Sequence, residues 1–404
     1  MTLNKPPKNV VIGIGLILTI FLFVSYARWP FETPFSQVLS PKKNYYVQTE
    51  KLVHAVVGDL VNLRELKGPN EIKIQIVTVE WTKEHWGRKT NEAEIAKLKM
   101  DEEIYKALFI VPQDYDLLEK KEQEAGSILA ALAGDTLYFV SDYFDPYNED
   151  NAKEAIAHEV AHLLQSINFE IEESVDLDAT LAQNALIEGE AEVTKSQYLE
   201  LLLNKSADIA SFPVGNRTIS VDEFFWLKWV APGIFGIEFV ETLYKEGMWS
   251  RVNEAFIDMP KSMEQIMHPK KYSIKEEYFN FEIEMIENWK LERSDRFGEL
   301  FILLFLGRHI PIDSARIAAD GWSGDNFAYF KKNNDYFFEW KTSWDTSTDA
   351  DEFMWALENF FWSIGAKEIT PKVWKINEEY LKVNSNNWNV TLTGSSNYEA
   401  LENQ

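Results

Sequence analysis

Two histidines four residues apart, His158 and His162, stand in the stretch Ala155-Ile-Ala-His-Glu-Val-Ala-His-Leu-Leu-Gln165. On a helix that spacing puts both imidazoles on one face, about one 5.4 Å turn apart along the axis, where their nitrogens can share one cation. Glu159 is turned by about 100° from His158, so it can reach a water on that cation without being a ligand. Two nitrogen ligands, a carboxylate base and an activated water are the parts of metal-assisted hydrolysis.

The positions around these residues must form a helix for the spacing to mean anything. Average composition gives the HExxH pattern by chance in on the order of one per cent of chains this long. Here Asn151 and Glu154 have the spacing of a capping box, and Ile156, Val160, Leu163 and Ile167 make an apolar stripe. Glu159 is the only charged residue between Ala155 and Gln165, which predicts a buried helix. Two imidazoles and a carboxylate are costly to desolvate without partners, and a metal provides for both histidines at once.

A catalytic zinc site takes a third protein ligand and leaves one position open. Ala185-Leu-Ile-Glu-Gly-Glu-Ala-Glu192 offers that ligand, on a helix capped by Asp176 or Asp178 and running to about Asn204. Glu188 and Glu192 share a face of it, with Glu190 nearly opposite. Glu188 is assigned as the ligand and Glu192 as acceptor of the free ring N–H of a ligating histidine. Gly189 in mid-helix costs roughly 1 kcal/mol against alanine and marks a close backbone approach, with the histidine helix as the expected neighbour. The alternative is a solvated acidic face formed by Glu188, Glu190 and Glu192.

Length and composition restrict the rest. A chain of 404 residues with 46% hydrophobic content is large enough for a full core and two domains. A net charge of −25 argues against nucleic acid or an anionic membrane surface as partner, since phosphate contacts need clustered Lys and Arg. With zero cysteines there are no disulfides and no thiolate metal ligands, which leaves His, Asp and Glu.

Residues 10–27 are uncharged and follow Lys5 and Lys8, long enough for a single span that keeps the N-terminus in the cytoplasm. The expectation is a signal anchor over residues 1–28, with the rest of the chain outside the cytoplasm. Ser25-Tyr26-Ala27 leaves open a cleaved signal peptide and a secreted product. Residues 29–44 carry Pro30, Pro34 and Pro41 and read as a linker.

Periodicity then predicts helices over 51–66, 91–107 and 116–133, and strands over 71–81, 108–111 and 137–141. A further helical pattern over 220–256 carries a break at Ala231-Pro232-Gly233. His54 and His85 lack partners at metal spacing and read as structural. His268 precedes Pro269 and is biased towards an extended or turn conformation suited to an active-site loop. His268, Tyr272 and Tyr198 are the candidates for stabilising an oxyanion, and packing is an equal reading of His268.

Ala157-His-Glu-Val-Ala-His-Leu-Leu-Gln165, Ala185-Leu-Ile-Glu-Gly-Glu-Ala191 and Ser262-Met-Glu-Gln-Ile-Met-His-Pro-Lys-Lys-Tyr272 occur in an order that resembles the secreted or membrane-attached gluzincin metallopeptidases of archaea and bacteria. Gly321-Trp-Ser-Gly-Asp325, Trp344-Asp-Thr346 and Asp349-Ala-Asp-Glu-Phe353 extend the likeness, which runs from about Leu137 to Leu357. It implies an α+β, helix-rich, zincin-like domain, Zn2+ held by His158, His162 and Glu188, and Glu159 as general base. It also implies a peptide or protein substrate, with a strand just before the motif helix offering an open edge to it. The chain departs from the family at Ser166-Ile167, where an Asp-Gln pair is usual. A catalytically inactive binding or scaffolding domain, and a hydrolase of a non-peptide envelope substrate, are the competing readings.

The zincin-like domain is expected over residues 45–290 and a small α+β domain over 291–384. In the latter, 291–307 is apolar in helical register, 313–319 reads as a helix and Lys331-Lys-Asn-Asn-Asp335 as a hairpin turn. The helix 349–362 starts on acids that favour its dipole rather than bind calcium. Seven tryptophans between Trp322 and Trp388 read as core, or less readily as a stacking surface. His309 has no evident partner, and residues 385–404 form a polar tail. Sequons begin at Asn204, Asn216 and Asn389.

Overall fold

The computed structural model describes residues 42–87, 92–124, 128–206 and 211–402. The expected anchor and the linker as far as residue 41 lie outside the described residues. No described helix is long and apolar enough to cross a membrane.

In chain order the elements begin with α1 (Lys42–Arg64), β1 (Lys73–Val77), α2 (Val79–Thr82), a π-helical turn (Lys83–Gly87), α3 (Glu92–Ala107), α4 (Leu117–Glu124), β2 (Ala130–Ala133) and β3 (Thr136–Val140). Next come α5 (Glu149–Asn168), α6 (Leu177–Leu203), α7 (Val221–Ile257), α8 (Met263–Met267), α9 (Pro269–Ser273), β4 (Lys290–Asp295), α10 (Gly298–Gly307) and α11 (Ile312–Ala319). The chain ends with β5 (Trp322–Lys332), β6 (Asp335–Trp344), α12 (Ser347–Ser363), β7 (Lys367–Thr370), β8 (Val373–Ile376), β9 (Glu379–Asn386), β10 (Asn389–Ser395) and α13 (Tyr398–Glu402). The architecture is mixed α+β and rich in helix. It divides into two compact units, one taking the described residues up to 87 and those of Glu122–Ile167, the other Thr90–Lys121 and the chain from Asn168 onward.

In the first unit a three-stranded sheet has the order β1-β3-β2, with β1 parallel and β2 antiparallel to β3. The expected strand 71–81 stops early because Thr78 turns the chain, its hydroxyl accepting from the Trp81 N–H to cap α2. The helix expected over 116–133 ends at Glu124, and Ala130–Ala133 is a strand instead. Alanine and leucine favour helix, but the turn at Gly134, with φ +64°, folds this segment back on β3. The strand just before the motif helix, β3, is therefore interior, and the edges of this sheet are β1 and β2. The motif helix α5 starts at Glu149, two residues ahead of the expected box, and every residue from Ala155 to Gln165 is buried.

In the second unit α6 packs on α7. Asp176 caps α6 by accepting from the Ala179 N–H at 2.8 Å, and Asn204 closes it in the left-handed conformation, as its sequence predicts. The close approach at Gly189 is made by Gly236 of α7 and not by the histidine helix: a Cβ on Gly189 would lie 2.2 Å from the Gly236 carbonyl carbon. α7 runs through Pro232 without the expected break, and its non-helical residues are Gly247 and Met248. The expected strand at 108–111 is a turn.

The larger sheet is antiparallel in the order β4-β5-β6-β10-β9-β8-β7. Only 298–307 of the apolar run 291–307 is helical, because 290–295 pairs with β5 as an edge strand. The expected polar tail is also structured. Residues 389–395 form β10 between β6 and β9, with Val390 and Leu392 buried, so alternate side chains of a polar-looking segment face the core. Trp322, Trp340 and Trp344 are fully buried, which supports the core reading for them, whereas Trp355, Trp362 and Trp388 are exposed.

The Gly321–Asp325 motif has a structural use. Asp325 accepts four bonds, from the Phe297 and Gly298 N–H groups and from the Trp322 and Trp340 indoles, at 2.9–3.1 Å. Burial still pushes its carboxyl up to about 6.

His309 is a half-buried histidine whose ring packs against those of Phe305 and Phe360. Burial, with Arg308 beside it, pushes its imidazole down to about 3. An unfolded histidine titrates near 6.5, so between about pH 6.5 and 3 the unfolded chain binds a proton that the fold refuses. The stability His309 contributes is present above that window and lost as pH falls through it. His309→Leu should therefore flatten the drop in urea midpoint between pH 7 and 5; an unchanged drop would show that other groups set it.

Candidate metal centre

The first unit holds the histidine pair. His158 and His162 are 3% and 5% exposed, their rings stand at 86°, and their Nε2 atoms are 3.0 Å apart. Two nitrogens bound to one tetrahedral zinc at about 2.05 Å would be about 3.3 Å apart, so the pair already has the spacing of one edge of such a site. His162 Nδ1 lies 3.0 Å from Gln165 Oε1. An amide oxygen there requires N–H at Nδ1, which leaves the lone pair on Nε2, the atom that faces His158. Either a proton or a cation must then lie between the two Nε2 atoms, since two lone pairs repel. Gln165 is the member of this cluster that sequence reasoning missed; its position three residues after His162 places it on the same face, which was the available signal.

Glu159 is 2% exposed on the same helix. The departure at Ser166-Ile167 falls where α5 leaves the core: Ser166 Oγ donates to the Leu163 carbonyl at 2.8 Å, and Ile167 is exposed.

The second unit holds the acidic stretch on α6, and it is not a solvated face. Glu190 is buried and accepts from Thr194 Oγ1 at 2.7 Å. Glu192 is buried against the equally buried Lys195, whose Nζ lies 2.9 and 2.7 Å from its two oxygens. Glu188 is half-buried, and Gly233 of α7 makes room for it, since a Cβ at Gly233 would lie 3.3 Å from the Glu188 Cβ. Tyr198 is 1% exposed.

His268 sits where α8 ends and α9 begins, in the non-helical conformation its proline predicts. Its Nε2 is 3.0 Å from Glu299 Oε1 and 3.5 Å from Asp320 Oδ1. The hydrogen bond to Glu299 holds the imidazole above the ordinary histidine range. Tyr272, another candidate oxyanion donor, is engaged in its own packing. Its hydroxyl donates to the Asp258 carbonyl at 2.9 Å, its ring packs edge-on against Phe239, and burial pushes the phenol up to about 12. A phenol already committed to a backbone carbonyl has no second proton to offer.

Within the second unit, two donor sets among the described residues are of the kind that holds a metal ion: His268 with Glu299 and Asp320, and Glu264 with Glu276 and Asp345. In the last, Lys271 takes the place of a cation, with its Nζ 2.6, 3.0 and 2.6 Å from the three carboxylates.

Residues 286–404 match a domain of unknown function, DUF8575. The matched segment begins just ahead of β4 and excludes His158, Glu159, His162, Glu188 and His268. No curated protein matches the chain, and no solved structure matches it.

Proposed function

We propose that the chain is a zinc-dependent peptidase in which His158, His162 and Glu188 hold the metal and Glu159 is the general base. The observation that carries this reading is the buried imidazole pair, with its Nε2 atoms 3.0 Å apart and one tautomer set by Gln165. The donors suit the ion: two neutral nitrogens, one carboxylate oxygen and no thiolate. Zinc bound by them would supply Lewis acidity towards a scissile carbonyl and bring a water's pKa to about 7. Gln165 orients His162. The buried carboxylate of Glu159 takes a proton from the attacking water at one oxygen and passes it to the leaving amine. Glu192, which pairs with Lys195 on α6, keeps its proposed role of accepting the free ring N–H of a ligating histidine.

Membrane attachment through residues 10–27, with the two units outside the cytoplasm, belongs to the same proposal, on the ground of the uncharged run of 18 residues that follows Lys5 and Lys8. The test is digestion of an unfolded protein such as reduced casein, with products read by mass spectrometry. Cleavage that stops with a chelator and returns with zinc is the expected result. Release of sugars or lipids instead, or no cleavage at all, would replace the peptidase reading with the envelope hydrolase or the binding domain.

A further inference from the structure

The second unit carries another group of donors that packing alone does not account for. Glu299 is the second residue of α10 and is 2% exposed. Its Oε1 meets His268 Nε2 at 3.0 Å, but its Oε2 is buried with no hydrogen-bond partner. A bare buried carboxylate oxygen is costly to keep out of water, and the helix N-terminus does not relieve it without a donor aimed at the atom. Asp320, at the end of α11, brings Oδ1 to 3.5 Å from the same His268 nitrogen. One ligand atom from each of His268, Glu299 and Asp320 lies within 4.8 Å of the others.

We propose that His268, Glu299 and Asp320 form a second divalent-cation site, for zinc or another first-row transition ion. The N···O separations of 3.0 and 3.5 Å bracket the edges of about 3.0–3.4 Å that ligands make around such an ion with bonds near 2.1 Å. One imidazole and two carboxylates suit these metals better than magnesium or calcium, which take oxygen. The contrast with Glu264, Glu276 and Asp345 is direct. There Lys271 supplies the positive charge in direct contact, whereas it acts on Glu299 only from beyond ion-pair distance, and no lysine or arginine forms an ion pair with Glu299 or Asp320 among the described residues. An imidazolium alone reaches only one oxygen of Glu299 and leaves the other bare; a cation can meet it. Asp320 is 69% exposed in its side chain, so the ion would enter from solvent and keep water as its remaining ligands. It would tie the α8–α9 junction to the start of α10 and the end of α11.

The experiment uses the full chain freed of metal and titrated with cobalt(II), read by visible absorption. His158→Ala with His162→Ala removes the other candidate site, so this one is read alone and does not depend on peptidase activity. The double variant should bind one cobalt per chain, and adding Asp320→Asn or Glu299→Gln should weaken binding at least tenfold. Asp320 is exposed, so its variant should fold, and circular dichroism checks that it does. No cobalt bound by the double variant, or binding that ignores both further substitutions, would overturn the proposal.

Discussion

Glu159→Gln should lower turnover on unfolded protein by about 10²–10⁴-fold while the zinc content of the chain stays the same. The two parts of that expectation separate a base from a ligand. Glutamine keeps the volume and one acceptor oxygen of the buried side chain but cannot take a proton. Glu159 lies on α5 between the histidines and is turned away from them by one residue's rotation, so its loss leaves both nitrogens in place. Removing a buried carboxylate should also leave the melting temperature unchanged or raise it, because a charge no longer has to be held out of water. Turnover within tenfold of wild type would remove Glu159 from the chemistry, and zinc lost along with turnover would make it a ligand.

The second large effect concerns stability. Gly236→Ala places a Cβ 1.9 Å from the Ala185 carbonyl oxygen and 2.7 Å from its carbon, both backbone atoms of α6. Backbone cannot rotate away as a side chain can, so α6 and α7 must part. Overpacking of this kind destabilises by about 1–3 kcal/mol and at a backbone clash by more, so a loss of about 3 kcal/mol or greater is expected in urea unfolding. Glu188 adjoins Gly189 at this crossing, and the same variant should weaken metal binding. A change within about 1 kcal/mol would mean that the helices do not cross as closely as described.

The site was more legible in the sequence than the fold was. His158, Glu159 and His162 stand on one buried helix because their spacing and the apolar run around them admit little else, while the place of Gln165 beside His162 was not read. The bounds of α6 were nearly as plain: the sequence left Asp176 and Asp178 as caps, of which Asp176 takes the place, and the helix ends at the expected Asn204. What depended on distant partners was hidden. Gly189 announced a close neighbour but not which one, and the neighbour proved to be Gly236, 47 residues further on. Residues 130–133 and 389–395 became strands through pairing with β3, β6 and β9, which local propensity does not encode. The hydrogen bond of Tyr272 with the Asp258 carbonyl is likewise one that no spacing rule predicts.

The central claim is that His158 and His162 hold a metal, and zinc content by mass spectrometry after dialysis tests it most directly. It is best measured in an Asp320→Asn background, where the proposed second site is weakened enough to lose its ion on dialysis. The account predicts one zinc per chain there, falling to near zero on adding His162→Ala. A chain that holds no zinc before that substitution, or keeps it afterwards, contradicts the account.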